Sequence, residues 1–297
     1  MTEQQQTGTQ TWKLTLAYDG TDYRGWQVQP GQPTVQGELQ AALGRVTGES
    51  PLPQGSGRTD TGVHALGQVA SFALRAAIPP DNLRRALNRT LPAAIRVLEA
   101  EIAPDQFHAR HSTTAKTYEY RVFLEGRLAS YDGIGRDRSV VCPPFLARYV
   151  YGYSWPLHFG ALQEAAQAFV GTHDFLSFAA TDLDQTARFG VRKPDDPLDE
   201  DSEERTSAIR TVFSSDWQHR SIEEGRLLVY RVRGNGFLHH MVRNLVGTML
   251  DVGRGYRGAE EITAMFAAGD RSAAGPTAPA RGLFLHSVEY SQGGKQP

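Results

Sequence analysis

The chain has 297 residues, enough for one large domain or two of ordinary size. It is 40% hydrophobic and 22% charged, which suffices for a sizeable core. No apolar run approaches the roughly 18 residues of a membrane span, and a single cysteine, Cys142, excludes an internal disulfide and a cysteine-cluster metal site. The net charge is −2, but Asp195, Asp196, Asp199, Glu200, Asp201, Glu203 and Glu204 crowd one decad. The rest of the chain sets 31 basic residues against 26 acidic ones, so an anionic partner is permitted.

Residues 1–11 are polar and Gln/Thr-rich, without the charged and apolar segments of a signal peptide, and read as a short disordered tail. Trp12, Leu14, Leu16 and Tyr18 alternate with polar residues up to Asp19-Gly20, which predicts a strand. Thr34 is placed to cap a helix with Val35, Leu39, Ala42, Leu43 and Val46 on one face. Glycines at 55, 57, 62 and 67 predict a loop over 55–67, followed by a strand over 68–74 and a helix opened by Pro79-Pro80-Asp81 through Asn88. A strand over 117–124 carries Tyr118, Tyr120, Val122 and Leu124 on one face.

Residues 126–156 lack a period and read as an irregular insertion. A helix over 161–170 ends at Gly171, and residues 181–206 form a loop around the acidic run. A strand over 226–233, helices over 237–251 and 259–267, and a strand over 283–290 complete the chain. Elements are interspersed without strict βαβ alternation, which predicts an α+β fold with mainly antiparallel sheet and helices on one face. A break near 104–114 divides the chain into two unequal parts.

The chemistry concentrates in Gly55-Ser56-Gly57-Arg58-Thr59-Asp60-Thr61-Gly62-Val63-His64. Glycines let the backbone bend and admit a ligand closely. A carboxylate beside Arg58 favours its ionised form, and ionised Asp60 is a competent nucleophile or base. Arg58 could equally hold a phosphate. An Asx-turn with a surface ion pair is the plainer explanation of an isolated R-x-D.

The whole segment resembles the active-site motif G-R-T-D-x-G-V-H-A of the TruA-type tRNA pseudouridine synthases, matched through Ala65 and followed by Gly67-Gln68-Val69. Further matches follow in family order: Tyr18-Asp19-Gly20, Gly25-Trp26-Gln27, Val35-Gln36, Phe107-His108-Ala109-Arg110, and Lys116-Thr117-Tyr118-Glu119-Tyr120. Gly171 to Phe175, Ser177-Phe178, Ile209 to Val212, Gly234 to Leu238 and His239 to Asn244 complete the set. The similarity runs from about Leu14 to Tyr290; residues 126–156 and 181–206 are longer than the family's connections.

The resemblance implies Asp60 as the essential aspartate and catalytic nucleophile, Arg58 as the arginine that helps extrude the base, Tyr118 as the tyrosine that packs on the target uracil, and Arg243 as the partner of the aspartate. It implies tRNA contacts from Phe107, His108, Ala109, Arg110 and His111. It also implies two ferredoxin-like-derived halves with a cleft between them, here 12–106 and 107–297, and a cytoplasmic homodimer acting on uridines 38, 39 and 40 of the tRNA anticodon arm. The reaction involves no net redox change or hydrolysis, so no cofactor and no metal is expected. The residues support Arg243 independently: on a helix over 237–250 it shares a polar edge with His240, Asn244 and Gly247, opposite an apolar face.

Two other readings compete. Asp60-Thr61-Gly62 is the D-T-G of aspartic proteases, but those need two such loops and the chain has one. A noncatalytic RNA-binding protein on the same fold would have no need of the carboxylate. His239-His240 suggests a metal, but adjacent histidines on a helix diverge by about 100° and no third ligand is apparent.

Overall fold

The computed structural model describes residues 8–124, 141–180, 208–222 and 225–291. The acidic decad at 195–204, the expected loop at 181–206, the 126–140 part of the expected insertion and residues 1–7 of the expected tail lie outside them. The chain divides into two compact units, Met1–Thr117 with Phe284–Pro297, and Tyr118–Leu283.

The first unit begins with β1 (Gln10–Tyr18), whose alternation buries Trp12, Leu14, Leu16 and Tyr18. Helix α1 (Val35–Thr47) starts where the extended Thr34 accepts a hydrogen bond from Gly37 N at 3.3 Å, and it ends at Gly48 with φ 76°. Val35, Leu39, Ala42 and Leu43 are buried along it. The two-residue β2 (Gln54–Gly55) and β3 (His64–Leu74) pair antiparallel.

Strand β3 begins four residues earlier than its sequence suggests, because Gly67 is not a turn glycine. The carbonyl of His286 would lie 2.7 Å from a Cβ at that position, so the glycine permits a close backbone approach inside a strand. Helix α2 (Pro80–Thr90) buries Leu83 and Leu87.

The following β4 (Ile95–Ile102) is not evident in the sequence. It pairs with β1, and Asn88 stands in for a neighbouring strand: its amide donates to Val97 O and its carbonyl accepts from Val97 N, both at 2.8 Å. The last strand, β10 (Leu283–Tyr290), runs parallel to β3. The strand order in this unit is β4-β1-β3-β10, with β2 on β3.

Strand β5 (Thr113–Leu124) carries the chain into the second unit, where β6 (Tyr151–Tyr153) pairs parallel to it. The order there is β5-β9-β8-β7, formed by β7 (Gly171–Asp174), β8 (Ile209–Ile222) and β9 (Gly225–Gly234). The β7–β8 and β8–β9 pairs are antiparallel. A short helix α3 (Pro144–Ala147) falls within the stretch expected to be irregular.

Trp217 on β8 ties the strand to two helices. Its N–H donates to Gln163 Oε1 on α4 (Phe159–Gln167) at 2.7 Å, and its indole N–H to Met249 Sδ on α5 (Met241–Gly253) at 3.2 Å. Phe169, Phe175 and Phe178 fill the core beside Phe266 of α6 (Glu261–Ala268).

The polar edge expected on the Arg243 helix is corrected. Every residue of α5 except Arg243 is buried: the segment from Gly275 to Ala278 lies against Gly247 and Thr248, Trp217 bonds Met249, and Leu162 packs on Gly253. Gly247 leaves room for the carbonyl of Pro276, and Gly275 for the backbone of Thr248. The helix also starts later than its apolar period suggests. His240 has φ 60° and stands before the first turn, so His239 and His240 do not diverge as helical neighbours would; their ring centroids lie 4.0 Å apart. Among the described residues, no helix is long and apolar enough to cross a membrane.

Candidate active site

The loop between β2 and β3 is held residue by residue. Trp26 packs its indole against Gly55, where a side chain would overlap the ring. Ser56 N donates to Val69 O at 2.8 Å, and the Ser56 hydroxyl donates to Gln68 Oε1 at 2.7 Å. Gly57 O accepts from Gln68 Nε2 at 2.8 Å. The Thr59 hydroxyl lies 2.8 Å from the Tyr18 hydroxyl, and Thr59 O accepts from Trp26 N at 3.0 Å. Burial pushes the Tyr18 phenol up to about 12, so it stays neutral near pH 7, against the smaller opposing effect of its bonds to Thr59 and Gln68.

Asp60 opens a four-residue turn. Val63 N donates to Asp60 O at 3.1 Å, and Gly62, the third residue, has φ 77°, a conformation that favours glycine. The D-T-G sequence is therefore turn chemistry. Ser56 and Thr59 are buried, whereas Arg58 and Asp60 are half-buried. The backbone is anchored inward through residues 56, 57 and 59, and the arginine and carboxylate retain access to solvent.

Lys116, the first residue of the Lys116–Tyr120 match and just outside the strand expected over 117–124, lies within β5. Its Nζ lies 3.1 Å from where a Cβ on Gly57 would stand, so the lack of a side chain at 57 lets the ammonium approach the loop. His64 closes the loop. It is buried, stacks on Phe284 with ring centroids 4.7 Å apart, and accepts from Gly20 N at 3.1 Å.

Phe107 to His111 also belong to the first unit. Phe107 packs on Tyr290 at 5.0 Å, with Lys13 Nζ 5.7 and 5.2 Å from the two ring centres. His108 Nδ1 accepts from the backbone N–H groups of Arg110 and His111, and its ring lies 4.3 Å from that of His111. Ala109 has no exposed surface. Its N–H donates to Ser71 Oγ at 3.0 Å and its carbonyl accepts from Tyr290 OH at 2.7 Å. It anchors the segment from within, while Phe107, His108 and Arg110 are half-buried and His111 is exposed.

In the second unit, Tyr118 is 8% exposed and meets Phe237 edge-on at 5.1 Å. Its neighbour Glu119 is buried and bonded to Arg121 at 2.7 Å and Arg231 at 2.9 Å. Burial alone would raise that carboxyl, but the two guanidinium groups outweigh it and hold it below the usual carboxylate range. Tyr120 OH donates to Pro279 O at 2.7 Å, and burial raises its pKa well above that of a free phenol, keeping it neutral. Arg243 Nε donates to Ala278 O at 2.7 Å. Arg58 and Asp60 thus share one loop of the first unit, with Phe107–His111 elsewhere in that unit, and Tyr118 and Arg243 lie on β5 and α5 of the second. The partners Gln68, Tyr18 and Ala278 were not legible as site residues, because nothing local to them marks which distant groups they bond.

Residues 15–112 and 197–291 match the family model described as tRNA pseudouridine synthase. The chain is 45% identical over 278 residues to the tRNA pseudouridine synthase A of Solibacter usitatus, covering 94% of this chain and 98% of that protein. It is 43% identical over 282 residues to the protein of that name from Moorella thermoacetica, with 94% and 98% covered. It is 38% identical over 283 residues to that of Latilactobacillus sakei, with 95% and 99% covered.

Proposed function

Because the chain belongs to the tRNA pseudouridine synthase family, we propose that it isomerises uridines 38, 39 and 40 of the tRNA anticodon arm, with Asp60 as the catalytic nucleophile. The observation that carries this reading is the anchoring of the Asp60 loop. Residues 56, 57 and 59 are fixed to the protein interior, and the two residues suited to reaction or phosphate contact, Arg58 and Asp60, are left half-buried between and beside them.

In the proposed reaction the C1′–N1 bond of uridine breaks, the base turns, and a C1′–C5 bond forms. The proton lost from C5 is balanced by the one gained at N1. A base stacked in a helix cannot present itself to a carboxylate in this way and must first leave the stack. Arg58, a planar cation, is proposed to fill the vacated space or hold the backbone. Tyr118, with its ring already fixed by Phe237, offers a face for the base and a hydroxyl for the C5 proton. Arg243 is proposed to orient Asp60 and keep it charged. The cations and rings of Phe107, His108, Arg110 and His111 suit a tRNA backbone, with Ala109 as their anchor.

We further propose that the units derive from ferredoxin-like halves and that the enzyme works as a homodimer. For the first unit this rests on the element order β1-α1-β2-β3-α2-β4 and the strand order β4-β1-β3-β2. The test of function is pseudouridine mapping of tRNA incubated with and without the purified protein. New pseudouridine confined to the anticodon arm is expected; unmodified tRNA, or modification only elsewhere, sinks the assignment.

A further inference from the structure

The Asp60 loop has three glycines in eight residues, at 55, 57 and 62, and glycine is the residue that loses most freedom on being fixed. Such a loop needs something to hold it. Gln68, wholly buried on β3, uses every hydrogen-bonding group of its side chain. Its amide nitrogen donates to Gly57 O at 2.8 Å and to the Tyr18 hydroxyl at 3.4 Å. Its oxygen accepts from the Ser56 hydroxyl at 2.7 Å and from Val69 N at 3.2 Å.

Tyr18 OH accepts from Gln68 and shares a second hydrogen bond with Thr59 Oγ1, 2.8 Å away. One amide therefore reaches residue 56, residue 57 and, through Tyr18, residue 59. Residues 57 and 59 flank Arg58, and residue 59 also precedes Asp60. Ser56, Gln68, Thr59 and Tyr18 are all buried, and a fully satisfied buried network is rigid because each member loses its partner if another moves.

We infer that Gln68, acting with Tyr18, is a positioning residue for pseudouridine formation: it sets the backbone from which Arg58 and Asp60 project, without itself touching substrate. This rests on the proposed role of Asp60. A network built only for stability would raise the melting temperature and leave the chemical step of folded enzyme unchanged. A network that positions the loop governs the chemical step, since misplacement of a reacting group by about 1 Å costs roughly 10²-fold in rate.

The experiment compares single-turnover pseudouridine formation at saturating enzyme, tRNA dissociation constants and thermal melting for Gln68→Glu, Gln68→Met, Tyr18→Phe and the Gln68→Met/Tyr18→Phe double variant. Gln68→Glu keeps the shape but removes both amide donors and turns an oxygen towards Gly57 O. Tyr18→Phe removes one hydroxyl and no packing volume, so it reports even if the Gln68 variants fail to fold. Expected are rates lowered by roughly 10- to 100-fold in folded protein, dissociation constants within about threefold of the parent, and a double variant no slower than the worse single one. Parental rates in folded Tyr18→Phe and Gln68→Glu would overturn the inference. So would losses that appear only as weaker tRNA binding. Asp60→Ala is run beside them: if it keeps its turnover, the Asp60 reading falls; if it is inactive while the network variants are at parental rate, only the positioning role falls.

Discussion

Arg243 and Ala278 are bonded to each other twice. The Arg243 Nε–H donates to Ala278 O at 2.7 Å, and Ala278 N donates to Arg243 O at 3.1 Å. The first bond fixes the guanidinium plane at its root, and the second fixes the helix turn that carries it. Lysine has no counterpart of Nε, so Arg243→Lys keeps the charge and loses the clamp. A hydrogen bond from a charged group contributes about 1.5–3 kcal/mol, so turnover is expected to fall about 10- to 100-fold in Arg243→Lys. Arg243→Ala is expected to fall further, with tRNA affinity less affected in both. Single-turnover rates beside filter-binding constants check this; an Arg243→Lys enzyme at parental rate would show that charge alone suffices.

Asp60→Asn and Asp60→Ala are expected to abolish pseudouridine formation, by about 10⁴-fold or more, while tRNA binding stays close to parental. The backbone bond that closes the turn runs from Val63 N to the Asp60 carbonyl, and both substitutions keep that carbonyl. Substantial turnover by purified, folded Asp60→Ala would remove Asp60 from the nucleophile role.

What was legible in the sequence was what is local. The Thr34 cap, the alternation of β1 and the glycine-rich loop all follow from neighbouring residues; the first two stand in the structure, and the loop stands over 56–63 of the expected 55–67. Strands β4 and β8 were missed because their own residues argue weakly for extended chain. β4 contains Glu99, Ala100 and Glu101, and β8 contains Ser214, Ser215, Asp216, Gln218 and His219. Their partners decide: β1 and Asn88 for β4, β7 and β9 for β8. The start of α5 was misread for a related reason. The apolar period continues upstream, but His240 takes a left-handed conformation that no periodicity records. Arg58 and Asp60 announced themselves by charge among glycines, whereas the roles of Gln68 and Ala278 depend on atoms 11 and 35 residues away in the chain.

Gly247→Ala provides a test of the packing around Arg243. A methyl group there overlaps the Pro276 carbonyl, which is backbone and cannot swing aside. Overpacking of this kind costs about 1–3 kcal/mol and sometimes more. Gly160 on α4 is the control: among the described residues nothing lies within 4 Å of its added Cβ, and Ala there is expected to be neutral or stabilising by up to roughly 1 kcal/mol. Urea unfolding of both variants checks the contrast. Equal stabilities would mean that the strap from Gly275 to Ala278 is not held against the helix as described.

Arg58 is expected to behave unlike either Asp60 or Arg243. Its backbone is fixed on both sides, at Gly57 O and at Thr59 O, so its side chain projects from a rigid root. In the proposed role it helps take the target base out of the stack, and that step costs a few kcal/mol for a paired base and less for one already unpaired. Arg58→Ala should therefore be slow on a tRNA whose target uridine is paired and partly rescued when the uridine is mispaired or held in an open loop. Asp60→Ala should be inactive on both, because no change in substrate pairing replaces the carboxylate. The comparison is single-turnover pseudouridylation of paired and mispaired anticodon arms by parent, Arg58→Ala and Asp60→Ala, each normalised to the parent on the same substrate. Equal losses on both substrates for Arg58→Ala would assign the guanidinium to a phosphate or to Asp60 itself, and the base-extrusion role would be abandoned.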